Sequence, residues 1–99
     1  MNAFEFDDGS ISDFIARVRR ELSGRDLADV VTVRQDGGEL VVTFHWIGSS
    51  ELRYLVTERP GGFAAELIGE KVSPFHAPFR QSFEDRFEQV VGGVGARVS

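Results

Sequence analysis

Ile11, Phe14, Ile15, Val18 and Leu22 fall at i, i+3, i+4, i+7 and i+11, one apolar stripe at helical period. Ser10 stands where an N-cap belongs, and Asp13 three residues on completes a capping box with Asp in place of Glu. Asp13 also precedes Arg17 by one turn, the favourable order for an ion pair on a helix surface. Gly24 supplies a left-handed stop, so the pattern predicts a helix over 11–23.

From residue 29 the period changes to two. Val31 and Val33 alternate with Val30, Thr32 and Arg34, and Gln35-Asp36-Gly37-Gly38 offers the positive φ that a tight hairpin demands. Leu40, Val42, Phe44 and Trp46 form a second alternating set, ended by Gly48-Ser49-Ser50. Leu52, Tyr54 and Val56 form a third, ended by Arg59-Pro60-Gly61-Gly62, and Phe63, Ala65 and Leu67 a fourth, running out near Gly69. Four such runs joined by three turns predict an antiparallel meander. Phe4 and Phe6 alternate with polar neighbours and are compatible with a short edge strand.

Residues 73–80 hold Pro74 and Pro78 and read as an extended connection. Phe79, Phe83, Phe87, Val90 and Val91 then recur at three- and four-residue spacing, a second amphipathic helix over roughly 79–91 halted by Gly92-Gly93. The series Phe75, Phe79, Phe83, Phe87 drifts around a helix by about 40° per step. Phe79, Phe83 and Phe87 are therefore expected to pack under the sheet with Phe75 capping an edge; in the other reading one or two rings project into a groove. The small, glycine-rich end suggests a single α+β domain over 1–93 and a flexible C-terminal tail over 94–99.

The expected fold class is α+β: N-terminal helix, four-stranded antiparallel β-meander, C-terminal helix, with both helices packed on one face of the sheet. That face carries Val31, Val33, Leu40, Val42, Phe44, Trp46, Leu52, Tyr54, Val56, Phe63, Ala65 and Leu67. The opposite face mixes Val41, Ile47, Leu55 and Ile68 with Thr, His, Arg and Glu, Glu70 among them. Such an apolar centre ringed by hydrogen-bonding groups suits an interface. Val41, His45, Ile47, Arg53, Leu55, Glu66 and Ile68 are the expected binding residues, and a second copy of the chain is the commonest kind of partner for such a face.

Composition changes this picture mainly by exclusion. The 99 residues carry a net charge of −5, which argues against nucleic acid and anionic membrane as partners. Cysteine is absent, removing disulfides, thiolate metal sites and cysteine nucleophiles. No apolar run suits a membrane helix, and acids at Glu5, Asp7 and Asp8 stand where a signal peptide would carry bases, so a cytoplasmic setting is expected. The one basic cluster, Arg17, Arg19, Arg20 and Arg25, reads as a solvated helix face or a contact for an acidic protein partner.

Catalytic chemistry finds little support. His45 with Glu66 and Arg53 on neighbouring strands would make a proton-transfer or metal pair only in one register, and His76 sits in the connection. No metal-ligand spacing occurs, and Gly37-Gly38 and Gly61-Gly62 join strands instead of leading from strand to helix as a phosphate loop does. No catalytic residue, metal or cofactor is assigned. The expectation is a small acidic protein-interaction module (an adaptor, a secretion-chaperone-like module or a neutralising partner), its partner another protein or itself as a homodimer. The alternative is a small apolar-ligand binder or small enzyme with a pocket near Trp46, Tyr54 and His45.

Overall fold

The computed structural model describes residues 1–99. The elements run β1 (Ala3–Phe6), α1 (Ile11–Gly24), β2 (Val31–Asp36), β3 (Glu39–His45), β4 (Ser49–Arg59), β5 (Gly62–Lys71), a short 3-10 turn (Ala77–Phe79), α2 (Arg80–Gly93) and β6 (Arg97–Val98). The class is α+β, but the sheet has six strands where the sequence predicts four, in the order β2-β3-β4-β5-β1-β6, all antiparallel.

The two extra strands come from the chain ends. Phe4 and Phe6 pair with Ala65 and Phe63, so β1 is an inner strand and both rings are fully buried. Arg97 and Val98 then pair with Glu5 and Phe4. Residues 94–99, expected to form a flexible tail, thus include β6 and bury Val94 and Ala96. Local pattern did not show this because Val98 alone is too short a signal; its partner lies more than ninety residues away.

Helix placement follows these strands. Phe14 of α1 lies with its ring centroid 5.2–5.3 Å from those of Phe4, Phe6 and Phe63. Phe83 and Phe87 of α2 lie 5.4 and 6.3 Å from Phe44. All these sheet rings share one face by register, and with Val31, Val33, Leu40, Val42, Leu52, Tyr54 and Ala65 they form the core.

The N-terminal cap forms as predicted: Ser10 Oγ accepts from Asp13 N–H, and Asp13 Oδ2 accepts from Ser10 N–H. Those bonds, the backbone one first, hold the Asp13 carboxyl below its usual pKa. Two local expectations need correction. Arg17 pairs with Asp8 at 2.6 Å, because Asp13 is occupied by the cap. The left-handed residue after α1 is Asp26, not Gly24, and after α2 it is Gly95, not Gly92 or Gly93.

A bulge between β4 and β5 alters the far end of the sheet. Tyr54 opposes Leu67 but Arg53 opposes Gly69, so Ile68 is an extra residue and the side-chain alternation resets. Glu70, expected on the mixed face, therefore opposes Leu52 on the helix-covered side. Trp46 is displaced as well. β3 ends at His45, and Trp46-Ile47-Gly48 form a three-residue loop to β4 in place of a longer strand.

Candidate functional site

Register shows what the expected binding face looks like. Across it run Arg34, Val41, Arg53 and Gly69 in one row, and Asp36, Glu39, Leu55, Glu66 and Ala3 in the next. Arg53 is the hub: its guanidinium meets Glu51 at 2.9 Å, Asp36 at 3.1 Å and Glu39 at 3.4 Å, while Arg34 reaches Asp36 and Glu51 at 3.9 and 3.8 Å. These carboxylates, Glu51 first, raise the Arg53 pKa. A second lattice on the β1 side joins Arg59 and Arg97 to Glu5 and Asp7, with Arg97 and then Arg59 holding the Glu5 carboxyl below its ordinary pKa.

Val41 is 0% exposed on this charged face, between Arg34 and Arg53 in its row, and offers no contact surface of its own. Leu55 stands beside Glu66 and is half exposed, as is Ile68 at the bulge. His45 lies far from Glu66. Glu66 shares its row with Glu39, six residues along β3 from His45, or about 20 Å at strand rise. The His45 ring instead contacts Thr32 Oγ1 at 3.2 Å and Ser49 Oγ at 3.3 Å. The structure does not bring His45, Glu66 and Arg53 together.

Nor does it gather Trp46, Tyr54 and His45 around one pocket. Tyr54 lies on the helix-covered face with its hydroxyl donating to the Met1 carbonyl at 3.0 Å, and burial raises its pKa. His45 is on the opposite face and Trp46 in the loop beyond. The apolar void beside Phe44 and His76 is about 20 Å³, room for about one water molecule.

A different cluster stands out at the β3–β4 loop. Trp46, Ile47, Phe75 and Phe79 are large, apolar and 45%, 65%, 65% and 46% exposed. Trp46 and Phe79 rings meet edge-to-face at 5.3 Å, and Trp46 stacks on His76 at 6.4 Å. Phe83, half-buried, joins this group to the core at 6.3 Å from Trp46 and 5.4 Å from Phe44. The phenylalanine stripe thus turns outward at its N-terminal end. Phe79, expected under the sheet, projects with Phe75.

The mount beneath this cluster is polar and buried. Ser50 Oγ accepts the Ser73 N–H at 2.8 Å and contacts His76 Nδ1 at 2.6 Å, while His76 Nε2 contacts the Trp46 carbonyl. The carbonyl can only accept, so Nε2 carries the proton and the Ser50 hydroxyl donates to Nδ1. His76 is fully buried, and through it the β3–β4 loop is tied to the segment bearing Phe75 and Phe79. Ile47, the residue after Trp46, is at φ +49, a left-handed conformation that a β-branched residue rarely adopts. The sequence offers projecting rings of the Phe75–Phe87 series only as a second reading, and it does not join Phe75 and Phe79 to His76, Ser50 and Ser73. The doublets Pro74-Phe75 and Pro78-Phe79, at four-residue spacing in a connection, were the available signal.

No group of three or more His, Cys, Asp or Glu side chains is placed to hold a metal ion, and no helix is long and apolar enough to cross a membrane. Comparison with protein-family models, with curated proteins and with solved structures found no match.

Proposed function

We infer that this chain is a small acidic protein-interaction module, of the adaptor, secretion-chaperone-like or neutralising kind, whose principal contact is an apolar segment of another protein docking on Trp46, Ile47, Phe75 and Phe79. The observation that carries this reading is the pairing of exposure with a rigid mount. Four large apolar side chains are exposed on the β3–β4 loop and the segment after β5, Trp46 and Phe79 in ring contact, and a buried Ser-His-backbone network ties the two segments together. Aromatic side chains held in place at low entropic cost are what interface hot spots are made of. The strain at Ile47 fits the same account, since unfavourable backbone conformations persist where function retains them.

Self-association through the sheet face is the second reading, in which His45, Arg53, Leu55, Glu66 and Ile68 make the contact. It is favoured by half-exposed Leu55 and Ile68 on strands that no helix covers from that side. Affinity capture from native cell extract with the wild type, Phe75→Ser and Leu55→Glu separates the two, with sedimentation of each purified protein alongside. The aromatic reading expects one specific partner kept by Leu55→Glu and lost by Phe75→Ser. Loss with Leu55→Glu alone, or a dimer that only Leu55→Glu dissociates, moves the site to the sheet. A partner retained by both variants overturns both readings.

A further inference from the structure

β2 is an outer strand of the sheet, and only one of its sides is paired. In an antiparallel pair, successive residues alternate between bonding the neighbour and pointing away. His45 N–H bonds to Val30 carbonyl, which sets the phase: Thr32, Arg34 and Asp36 bond β3, and Val31, Val33 and Gln35 direct their backbone groups outward. Val31 N–H is taken by the Leu27 carbonyl, and the Val33 carbonyl accepts from Arg19 Nη2 at 3.2 Å. Val31 carbonyl, Val33 N–H and both Gln35 groups remain open, the template to which another strand adds.

Beside this edge lies an open hollow of about 370 Å³ between α1 and β2, lined by Arg19, Leu22, Ala28, Val31, Val33 and Arg34, with Thr32 at its rim. Leu22, Ala28, Val31 and Val33 make it apolar on the helix side of the sheet, where Arg19 of α1 reaches over the edge to the Val33 carbonyl, and Arg34 stands on the other side. Arg19 has no carboxylate within 4.0 Å, and Arg34 reaches its two only at 3.8 and 3.9 Å. Asp29 and Asp36 bound the strand at its two ends and limit the basic stretch to its middle.

We propose that the β2 edge binds an extended acidic peptide segment of another protein as a seventh strand, apolar side chains entering the hollow under α1 and acidic ones facing Arg34 and Arg19. The incoming N–H replaces the Arg19 guanidinium on the Val33 carbonyl, and the freed guanidinium takes a carboxylate in a charge-assisted bond. Arg19 is thus a cap that protects the edge when empty and selects the sign of the occupant. A second copy is the poorer occupant, because edge-to-edge pairing of two β2 strands sets Arg19 and Arg34 of both chains against each other. The net charge of −5 repels an acidic peptide at long range, but beyond about 8 Å that repulsion is largely screened at physiological salt, and the nearby Arg19 and Arg34 dominate at contact. This site is separate from the aromatic cluster and stands or falls without it.

The test is an NMR amide titration of the full chain with an octapeptide alternating valine and glutamate. Two controls accompany it: the lysine counterpart, and the acidic peptide N-methylated at alternate amides. Saturable shifts at Val33 and Gln35 are expected with the acidic peptide, at least tenfold weaker binding with either control, and no movement of the Trp46 indole. Arg19→Glu, a change at an exposed position, should reverse the ranking of the acidic and lysine peptides. Absence of saturation at millimolar acidic peptide overturns the proposal. So does equal binding of the N-methylated peptide, or a peptide-free dimer with the Val33 amide protected.

Discussion

Substituting Ile47 by glycine and by alanine tests the strained loop that presents the aromatic cluster. Both substitutions remove the same γ and δ carbons, so the packing lost by the isoleucine side chain largely cancels between them. What differs is the Cβ. At φ +49 a Cβ crowds the backbone carbonyl by about 1–2 kcal/mol, a cost that glycine escapes. Against this, glycine loses about 0.4–1 kcal/mol more chain entropy on folding than alanine. The balance leaves Ile47→Gly more stable than Ile47→Ala by about 0.5–1 kcal/mol, or roughly 3–6 °C in Tm for a chain of this size. At an ordinary position the order is reversed. Urea unfolding of the two variants side by side, with thermal melts as a check, reads the sign directly. Alanine more stable than glycine would show that the loop is not held left-handed, and the reasoning from strain to function would fail with it.

The polar mount makes its own prediction. Ser50→Ala leaves buried His76 Nδ1 and the part-buried Ser73 N–H without their partner, a loss of about 1–3 kcal/mol, whereas Ser50→Thr keeps the hydroxyl and should recover most of it in the same unfolding assay. The lowered carboxyls of Glu5 and Asp13 predict acid sensitivity: they bind protons less readily folded than unfolded, so their stabilisation is complete above the ordinary carboxylate pKa and is lost as pH falls through the lowered native values. Unfolding midpoints followed from pH 7 downward should decline in that acid range, and Glu5→Gln should flatten the decline; an unchanged profile would count against the Glu5–Arg97 contact.

Local chemistry made much of the fold readable. The Ser10–Asp13 box, the stripe of α1 and the turns at Gly37 and Gly61 are each written within a few neighbouring residues, and the structure has them. Features decided by distant pairing were not readable. Phe4 and Phe6 look like an edge strand until Arg97 and Val98 close over their free side. The bulge at Ile68 has no local signature, yet it moves Glu70 to the other face. The departure of Trp46 from β3 depends on His76, thirty residues on, holding its carbonyl. The candidate site is the least legible part, because alternation alone defines the mixed face in the sequence. Alternation shows which way a side chain points, but not that Arg53 is closely paired there with Asp36, Glu39 and Glu51, or that Val41 is buried beside it.

That mutual satisfaction weighs one surface against the other. Taking roughly 200 Å² for a large side chain, the exposed parts of Trp46, Ile47, Phe75 and Phe79 come to about 440 Å², worth about 11 kcal/mol on burial at 25 cal/mol per Å². Leu55 and Ile68 together offer about 150–200 Å², or 4–5 kcal/mol on the same scale. Association costs about 4–15 kcal/mol before any contact shows as affinity. The aromatic cluster alone stands within that range, and the sheet face falls at its bottom. The sheet face must also dehydrate an ion-pair lattice already complete within the chain, from which a partner gains little new pairing. Leu55→Glu sets a carboxylate directly between Glu39 and Glu66, a like-charge cost of about 0.2–1 kcal/mol for each pair, and should leave the chain folded and partner capture intact. Phe75→Ser removes about a quarter to a third of the aromatic area, near 3 kcal/mol, and should weaken capture more than a hundredfold.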